Sequence, residues 1–327
     1  MTFKYNNVYI NNYATVAGIN EKKGPLGKYF DKTYDDFYIG QKTWEQAEET
    51  MINECIDILL KKTNKGKNNI DLFISGDLLN QMVPSNYAAS KLKIPYLGIY
   101  NACATSVEGL IIASNFIENK QIKNAVVSVS SHNNAAEKQF RYPVEYGGVK
   151  PKTTTFTTTG SAIAYLDSIG DIKVESATIG RVIDMEQKDV FNMGAVMSPA
   201  CADTIYRHLI DMKRDASYYD LILSGDLGIY GKDILREYMN KEYGINLKNY
   251  DDTACMIYDI KNQDVYAGGS GPACAPLVLY SYIFRLMKEK KLKKVLMVAT
   301  GSLHSVATVN EHMTIPSIAH AISLEVM

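Results

Sequence analysis

Cys103 is the residue with the clearest capacity for chemistry. It lies in residues 101–106 (NACATS), where an extended segment meets the start of an apolar helix. The unpaired N–H groups and the positive dipole end of a helix N-terminus lower the pKa of a thiol, which makes Cys103 a candidate nucleophile. The same N–H groups could hold a carboxylate without a covalent step, and a small buried cysteine is also a common core residue. The residues alone leave these three interpretations open.

Three histidines are candidates to act beside this cysteine. His132, His304 and His320 follow or lie in predicted strands whose ends should surround Cys103. Each has the side chain of a general base or of a donor to an anion, and each has the alternative of a structural histidine satisfied within the core. The two other histidines, His208 and His312, are predicted to be surface residues on a helix and a loop.

The elements that would position these residues occur twice. Residues 71–78 read DLFISGDL and residues 220–227 read DLILSGDL, each an apolar strand that runs into a Ser-Gly-Asp turn. Each copy is followed by a small-residue loop with one cysteine, an apolar helix and another strand. Buried helices between apolar strands indicate βαβ units with parallel strands. We therefore predict an α/β protein of two pseudo-duplicated halves, residues 1–170 and 171–327.

The composition excludes several classes of protein. The chain has 327 residues, 46% of them hydrophobic and 22% charged, with a formal net charge of -1. This balance gives no bulk basic field, so we expect no nucleic-acid partner. The five cysteines are an odd number and none forms a C-x-x-C pair, which indicates reduced thiols and no metal site. The N-terminus lacks the apolar core of a signal peptide, and the Gly and Pro residues within the uncharged residues 265–284 favour a loop and a buried helix over a membrane span.

Two segments resemble the thiolase superfamily, and within it the initiating ketoacyl synthases of the third type. Residues 84–110 (PSNYAASKLKIPYLGIYNACATSVEGL) resemble the stretch that leads to the synthase nucleophile, with Cys103 at the nucleophile position. Residues 153–166 (TTTFTTTGSAIAYL) resemble the strand and glycine turn that close the first half of these enzymes. The resemblance implies a thiolase-like fold in a layered α-β-α-β-α arrangement.

The chain departs from the synthases at two catalytic positions. Their second-half histidine has no counterpart in the turn at residues 224–227, and their asparagine has none at residues 268–270. Condensation needs donors that stabilise an enolate and its oxyanion, each worth roughly 10²–10³-fold in rate, and a lone thiol does not supply them. We therefore expect no catalytic residues and no enzyme activity. The alternative is a cysteine-dependent acyltransferase or ketoacyl-synthase-like enzyme that pairs Cys103 with His132 or His320, and a third possibility is a structural subunit with a vestigial pocket.

Five longer segments resemble the stage V sporulation protein AD family of spore-forming bacteria. They are KKGPLGKYFDKTYDD (22–36), SGDLLNQ (75–81), SSHNNAAEKQFRYPVEYGG (130–148), TIGRVID (178–184) and VYAGGSG (265–271). The resemblance implies binding of dipicolinic acid (pyridine-2,6-dicarboxylate) for its uptake into the developing spore. It also implies a location in the spore or forespore, peripheral to the inner spore membrane, with the other stage V sporulation A membrane proteins as partners. No cofactor is expected, although calcium could accompany the dipicolinate, and a homodimer is expected by analogy with thiolases alone.

A site for a small flat dianion needs cations, N–H donors and an apolar or aromatic slot. The family resemblance suggests Lys22, Asp77 and Cys103 as pocket residues. Arg141 and Arg181 lie in loops that could reach the same place, and Asp77 could orient a cation or bind calcium. Turn closure is the competing role for Asp77 and for Asp226, its counterpart in the second repeat. The predicted ligand-binding set is Cys103, Lys22, Asp77, His132, Arg141, Arg181 and His320.

Overall fold

One strand order is used in both halves of the molecule. A computed structural model describes residues 1–140 and 149–326. In the first half the order is β5-β4-β6-β8-β2, and in the second half it is β11-β10-β13-β14-β9. The strands are β1 (Thr2–Lys4), β2 (Tyr9–Ala17), β3 (Lys32–Thr33), β4 (Leu72–Gly76), β5 (Tyr96–Gly98), β6 (Ala125–Ser131), β7 (Phe156–Thr157), β8 (Gly160–Asp167), β9 (Ile172–Thr178), β10 (Leu221–Ser224), β11 (Tyr250–Asp252), β12 (Gly269–Ser270), β13 (Lys294–Ser302) and β14 (Ser317–Glu325).

The two halves meet edge to edge. Strands β2 and β9 pair antiparallel through Tyr9 with Lys173 and Ile10 with Ile172, so the two sets of five strands form one continuous hydrogen-bonded sheet. A second bridge is the short parallel pair of β7 with β12. The predicted boundary at 170/171 falls in the connection between β8 and β9.

The helices follow the same duplicated pattern. They are α1 (Ile19–Lys23), α2 (Trp44–Thr63), α3 (Val83–Leu92), α4 (Thr105–Glu118), α5 (Asn133–Phe140), α6 (Met193–Met212), α7 (Gly228–Tyr243), α8 (Thr253–Met256), α9 (Cys274–Val278), α10 (Phe284–Lys288) and α11 (Val306–Asn310). A π-helical turn, Leu279–Ile283, joins α9 to α10 and makes them one long helix. No helix in the described part of the chain is long and apolar enough to cross a membrane.

Three apolar clusters give the layers. The central cluster contains Leu110 of α4 and Leu277 of α9. These two helices therefore lie between the five strands of the first half and the five strands of the second half. An outer cluster packs α2 and α3 on the first half, and another packs α6 and α7 on the second half. The α/β class and the α-β-α-β-α layering predicted from sequence are confirmed.

The repeated octapeptides form equivalent structures. In each, a short buried strand runs into the Ser-Gly-Asp turn, as predicted. The first aspartate of each octapeptide forms the same kind of hydrogen bond. Asp71 accepts the backbone N–H of Lys123 at 2.7 Å, and Asp220 accepts that of Lys293 at 2.6 Å, so each fixes the entry of the next strand along the sheet. β4 and β10 are parallel to their neighbours, as predicted, whereas β8 and β14 run antiparallel to theirs, which the βαβ argument did not anticipate.

His208 corrects a prediction made from the sequence. It was expected on a surface, but it is fully buried on the face of α6 that packs against the sheet. Its Nδ1 lies 2.8 Å from Thr178 Oγ1 and its Nε2 lies 2.5 Å from the hydroxyl of Tyr219. A histidine with both ring nitrogens paired can be buried at little cost. His312 is exposed after α11, as predicted.

Candidate functional site

Cys103 is held by a strained loop at the start of α4. The preceding residue, Ala102, has a positive φ of 48°, which a residue other than glycine adopts only when its surroundings require it. Thr105 Oγ1 accepts the N–H of Asn101 at 2.9 Å and donates to the carbonyl of Ala102 at 2.7 Å, which closes the loop. The carbonyl of Asn101 lies 2.5 Å from where a Cβ on Gly301 would sit, so only glycine lets β13 approach this closely.

A cavity of about 170 Å³ opens above Cys103. An engineered cavity of about 150 Å³ holds one benzene molecule, so this volume suits a single six-membered ring with small substituents. Both halves supply its wall, and the lining is mainly apolar and hydroxyl-bearing. Lining residues from the first half include Leu78, Tyr100, Ala136, Phe140, Thr154, Thr155 and Thr157, and those from the second half include Val190, Phe191, Met193, Ser270, Ser302, His304, Val306 and Val309.

The charged and polar groups of the cavity are few. Lys150, whose side chain is 12% exposed, contacts Glu137 at 2.6 Å, and both residues line the cavity. Among the described lining residues Lys150 is the one lysine or arginine. The hydroxyls of Thr154 and Thr155 are buried, and no group among residues 1–140 and 149–326 forms a hydrogen bond with them. A hydroxyl can both donate and accept, so these two threonines could pair with a polar group that enters the cavity.

His304 is the histidine that shares the cavity with Cys103. Its Nδ1 lies 2.9 Å from Ser302 Oγ, and its ring packs on Phe140. Burial lowers the pKa of His304, which favours the neutral ring. The ligand-binding set predicted from the sequence included His132 and His320 but not His304.

Asp226 lies against Cys103 from the second half. It follows β10 with a positive φ of 67°, and its Oδ2 accepts the N–H of Gly271 at 2.9 Å. Its carboxyl interacts with the thiols of both Cys103 and Cys274, the two cysteines that precede or begin the central helices. Burial raises the pKa of Asp226 well above its usual range, and the charge of Asp252 adds to that increase.

The electrostatics of Cys103 differ from the sequence expectation. Burial raises the pKa of its thiol well above the usual range, and the Asp226 carboxyl raises it further. Both effects act against the positive end of α4, which by itself would favour a thiolate. Both effects favour the neutral thiol of Cys103 over the thiolate.

Asp77 and His132 lie outside the cavity lining. Asp77 is fully buried, and its two oxygens accept the backbone N–H groups of Leu79 at 2.9 Å and Ser85 at 3.1 Å, so it closes its own turn. Both oxygens are thereby engaged in the turn. The Nε2 of His132 lies 2.7 Å from the carbonyl of Phe37, and burial lowers the pKa of His132 to about 4.

The other described residues of the predicted ligand-binding set are also not among the residues that line the cavity. His320, in β14, pairs with the side chain of Asn101 at 2.8 Å, so it supports the Cys103 loop from behind. Lys22 forms an ion pair with Asp35 at 2.7 Å, and Arg181 forms one with Asp203 at 2.7 Å. Neither lines the cavity. Arg141 lies outside the described residues.

The structure thus brings Cys103 together with residues that the sequence did not select. Lys150 stands in a short VKPK run that has the composition of a surface loop, and Thr154 and Thr155 were assigned to a strand. The one available signal for the threonines was the run TTTFTTT, which is unusually rich in hydroxyls. Within residues 1–140 and 149–326, no three or more His, Cys, Asp or Glu side chains are arranged to hold a metal ion.

Comparison with known proteins gives the relationship of the chain. Residues 1–325 match the family model described as stage V sporulation protein AD. The chain belongs to the stage V sporulation protein AD family. It is 46% identical over 320 residues to the Stage V sporulation protein AD of Bacillus subtilis (strain 168), which covers 97% of this chain and 94% of that protein. Members of this family are named as sporulation proteins, so the chain has a spore-related role.

Solved structures place this family member on the thiolase-like fold. A variant of Xanthomonas campestris OleA aligns over 99% of both chains with a TM-score of 0.61 at 15% identity. The 3-oxoacyl-[acyl-carrier-protein] synthase III of Aquifex aeolicus VF5 aligns over 98% of this chain and 97% of its own with a TM-score of 0.55 at 14% identity. At such low identity the likeness establishes the fold, and the activities of those enzymes do not transfer with it.

Proposed function

We propose that this family member is a non-catalytic thiolase-fold protein that binds dipicolinate for its uptake into the developing spore. The observation that carries the proposal is the cavity above Cys103. It has the volume of one substituted aromatic ring and apolar walls. Its described lining includes one lysine and two buried hydroxyls that no described residue pairs with. Such a combination suits a flat aromatic anion, which needs an apolar slot and a small number of well-placed polar groups.

The chemistry around Cys103 supports binding over catalysis. A thiol beside a buried carboxyl lacks the nucleophilicity that acyl transfer requires. Lys150 would contact one ligand carboxylate in exchange for part of its contact with Glu137, and the hydroxyls of Thr154 and Thr155 would donate to the anion. Glu137 offers carboxylate oxygens for calcium if the metal enters with the ligand.

Isothermal calorimetry with dipicolinate, with and without calcium, tests the proposal. We expect binding to the wild-type protein and weaker binding to Lys150→Met. Loss of a charge-assisted hydrogen bond costs about 1.5–3 kcal/mol, or roughly 10–100-fold in affinity. Lys152→Met is the matched control, because Lys152 is an exposed lysine two residues away that does not line the cavity. Absence of heat at millimolar dipicolinate with folded protein would refute the proposal.

A second candidate is acyl transfer by Cys103, and one observation favours it. His304 lines the same cavity, which gives the thiol a histidine that His132 and His320 do not provide from their positions. Intact-mass spectrometry after incubation with an acyl-CoA distinguishes the two functions. A covalent adduct that maps to Cys103 supports the enzyme, and an unmodified protein that still binds dipicolinate supports the binding function.

The proposed partners are the other stage V sporulation A membrane proteins and a second copy of this chain. Association with those proteins would place the chain at the inner spore membrane. Co-sedimentation with membranes of sporulating cells, lost when the membrane partners are deleted, is the expected result. A protein that sediments equally in the deletion strain contradicts this docking.

An asymmetry between equivalent sheet edges supports a homodimer. Strand β5 is an open edge on which Leu97 is 39% exposed, and the nearby Tyr87 is 60% exposed. Its counterpart β11 is covered, because Tyr250 is buried under the guanidinium of Arg236. An open, partly apolar strand edge is a ready site for pairing with another chain. We propose that β5 pairs with β5 of a second copy.

A further inference from the structure

The parallel strands of both halves begin on one face of the molecule. Glu118, at the end of α4, accepts the backbone N–H groups of Asn6 and Asn7 at 3.1 Å. Lys173, at the start of β9, pairs with Glu325 at the end of β14, beside the start of β13. The cavity lies at the opposite ends of these strands, where α4 begins and β13 ends. We call this face the basal face and define it by the segments that connect elements there, residues 5–8, 64–71, 93–95, 119–124, 168–171, 213–220, 244–249 and 289–293.

The basal face is basic. Its segments contain eleven Lys and Arg residues against five Asp and Glu residues, a formal charge of +6 on a chain whose total is -1. The rest of the chain therefore carries a formal charge of -7. The charged residues at the strand ends beside these segments cancel, since they are Asp167, Lys173, Lys294 and Glu325. Positive charge is thus concentrated on one face of a nearly neutral protein.

Most of these cations are available to a partner. Three of the eleven pair with neighbouring carboxylates at 2.8–3.7 Å. The other eight are exposed lysines that form no ion pair with any residue in the described part of the chain, namely Lys67, Lys93, Lys120, Lys123, Lys213, Lys248, Lys290 and Lys293. They come from both halves, so the charge is spread across the face and not gathered in one groove.

An exposed isoleucine lies within this basic face. Ile169, in the connection between β8 and β9 that joins the two halves, is 74% exposed. Its backbone is held on both sides, because its N–H donates to Asp167 Oδ1 at 2.9 Å and its carbonyl accepts the side-chain N–H of Asn11 at 2.9 Å. The turn therefore presents an apolar side chain to the solvent at a fixed place among the lysines.

We propose that the basal face lies against the headgroups of an anionic lipid bilayer. Lysines attract an anionic bilayer surface without needing a shaped pocket, and an apolar side chain among them can enter the boundary between headgroups and acyl chains. A single-stranded nucleic acid fits less well, because its bases stack on exposed aromatic rings. The three tyrosines of the basal segments, Tyr5, Tyr218 and Tyr219, are buried or half-buried.

This contact orients the protein. With the basal face on the bilayer, the cavity lies on the side of the molecule away from the lipid. Salt screens charges over about 8 Å at physiological ionic strength, so the lipid contact is weak in the cell. The membrane proteins proposed above as partners would still be needed to hold the chain on the membrane, and the lipid contact would fix which face it turns toward them.

The test is co-sedimentation of the purified full chain with vesicles of equimolar phosphatidylglycerol and phosphatidylcholine, and with vesicles of phosphatidylcholine alone. The basal variant carries Lys123→Gln, Lys290→Gln and Lys293→Gln. The matched control carries three Lys→Gln changes at exposed lysines outside the basal segments, Lys42, Lys152 and Lys188. Both variants lose the same charge, so a difference between them reports its position. If the basal variant does not fold, Lys67→Gln with Lys120→Gln and Lys213→Gln serves in its place.

We expect the wild type to bind the anionic vesicles at about 20 mM salt, to leave them at about 300 mM salt, and to ignore phosphatidylcholine alone. The basal variant should lose at least 10-fold in partition coefficient, since each lysine near an anionic surface contributes roughly fivefold. The control variant should lose less than half as much on a logarithmic scale. Ile169→Asn should lower the partition roughly 3-fold or more without changing its salt dependence.

Three results would overturn the proposal. They are equal binding to both kinds of vesicle, equal losses in the basal and control variants, and tighter binding to duplex DNA than to anionic vesicles in the same buffer. The last would assign the face to nucleic acid. The experiment contains neither dipicolinate nor membrane proteins, so its outcome is separate from that of the proposed function.

Discussion

Glu21 in α1 is a buried carboxyl that should make stability depend on pH. It is fully buried, and its Oε1 accepts the N–H of Thr159 at 3.0 Å and the hydroxyl of Tyr258, which ties the two halves together. Within the described part of the chain, its Oε2 makes no hydrogen bond of regular geometry. Burial raises the pKa of Glu21 from 4.5 to about 7, although the hydrogen bonds from Tyr258 and Thr159 oppose that increase.

The raised pKa of Glu21 determines how the free energy of unfolding changes with pH. Between pH 4.5 and 7 the native state binds more protons at Glu21 than the unfolded state does, so the free energy of unfolding falls as pH rises through that window. A shift of roughly 2.5 units at about 1.36 kcal/mol per unit gives about 3 kcal/mol, most of it between pH 5 and 8. Glu21→Gln keeps the oxygen that accepts from Tyr258 and cannot ionise.

Urea unfolding from pH 5 to 8, followed by circular dichroism, tests this expectation. The free energy of unfolding of Glu21→Gln, relative to the wild type, should rise by about 2–3 kcal/mol from pH 5 to pH 8. Glu237→Gln, on the exposed face of α7, is the control and should show a constant difference. If the wild-type and Glu21→Gln stabilities run parallel across the range, the carboxyl ionises in the folded protein at its ordinary pKa and the reasoning fails.

Three further predictions concern the site and the dimer. Cys103→Ala should weaken dipicolinate binding by about 0.5–1.5 kcal/mol, the value of one neutral polar contact, and a calorimetric loss beyond 100-fold would assign the thiol a larger role. Leu97→Lys should convert a dimer to a monomer in sedimentation experiments, and an unchanged dimer would exclude the β5 edge. Gly271→Ala should lower the free energy of unfolding by about 1–3 kcal/mol in urea, because Gly271 has a φ of 99° and a Cβ there would lie 2.8 Å from Ser131 Oγ. A fully stable variant would show that this loop can relax.

The fold could be predicted because its signals are local and repeated. The octapeptides at residues 71–78 and 220–227 placed two buried strands and their turns. Duplication indicated two βαβ halves, and the resemblance to the thiolase superfamily implied their layering. The antiparallel direction of β8 and β14 was not predicted. Strand direction depends on the path of the chain between strands, which the local sequence pattern does not encode.

The candidate site was less accessible to sequence reasoning because its contacts are long-range. Cys103 is a local signal at a helix start and was found. Asp226 and Asp77 follow the same Ser-Gly pair in sequence, but Asp226 has a positive φ and accepts the N–H of Gly271, whereas Asp77 accepts N–H groups of its own segment. His208 was assigned to the surface because the Tyr219 hydroxyl that satisfies its ring comes from a different element. Residue type alone does not distinguish a satisfied polar group from an available one.

The shared wall of the cavity has a consequence for assembly of the chain. Cys103 and Thr155 come from one half, and Ser302 and His304 from the other, so neither half alone can form the binding space. A ligand in the cavity would contact both halves and stabilise their association. At a free concentration of 100 times its dissociation constant, it would add about 2.7 kcal/mol to the free energy of unfolding. The concentration of ligand would then set the stability of the folded protein. At low ligand concentration, the contact between the two halves would weaken first.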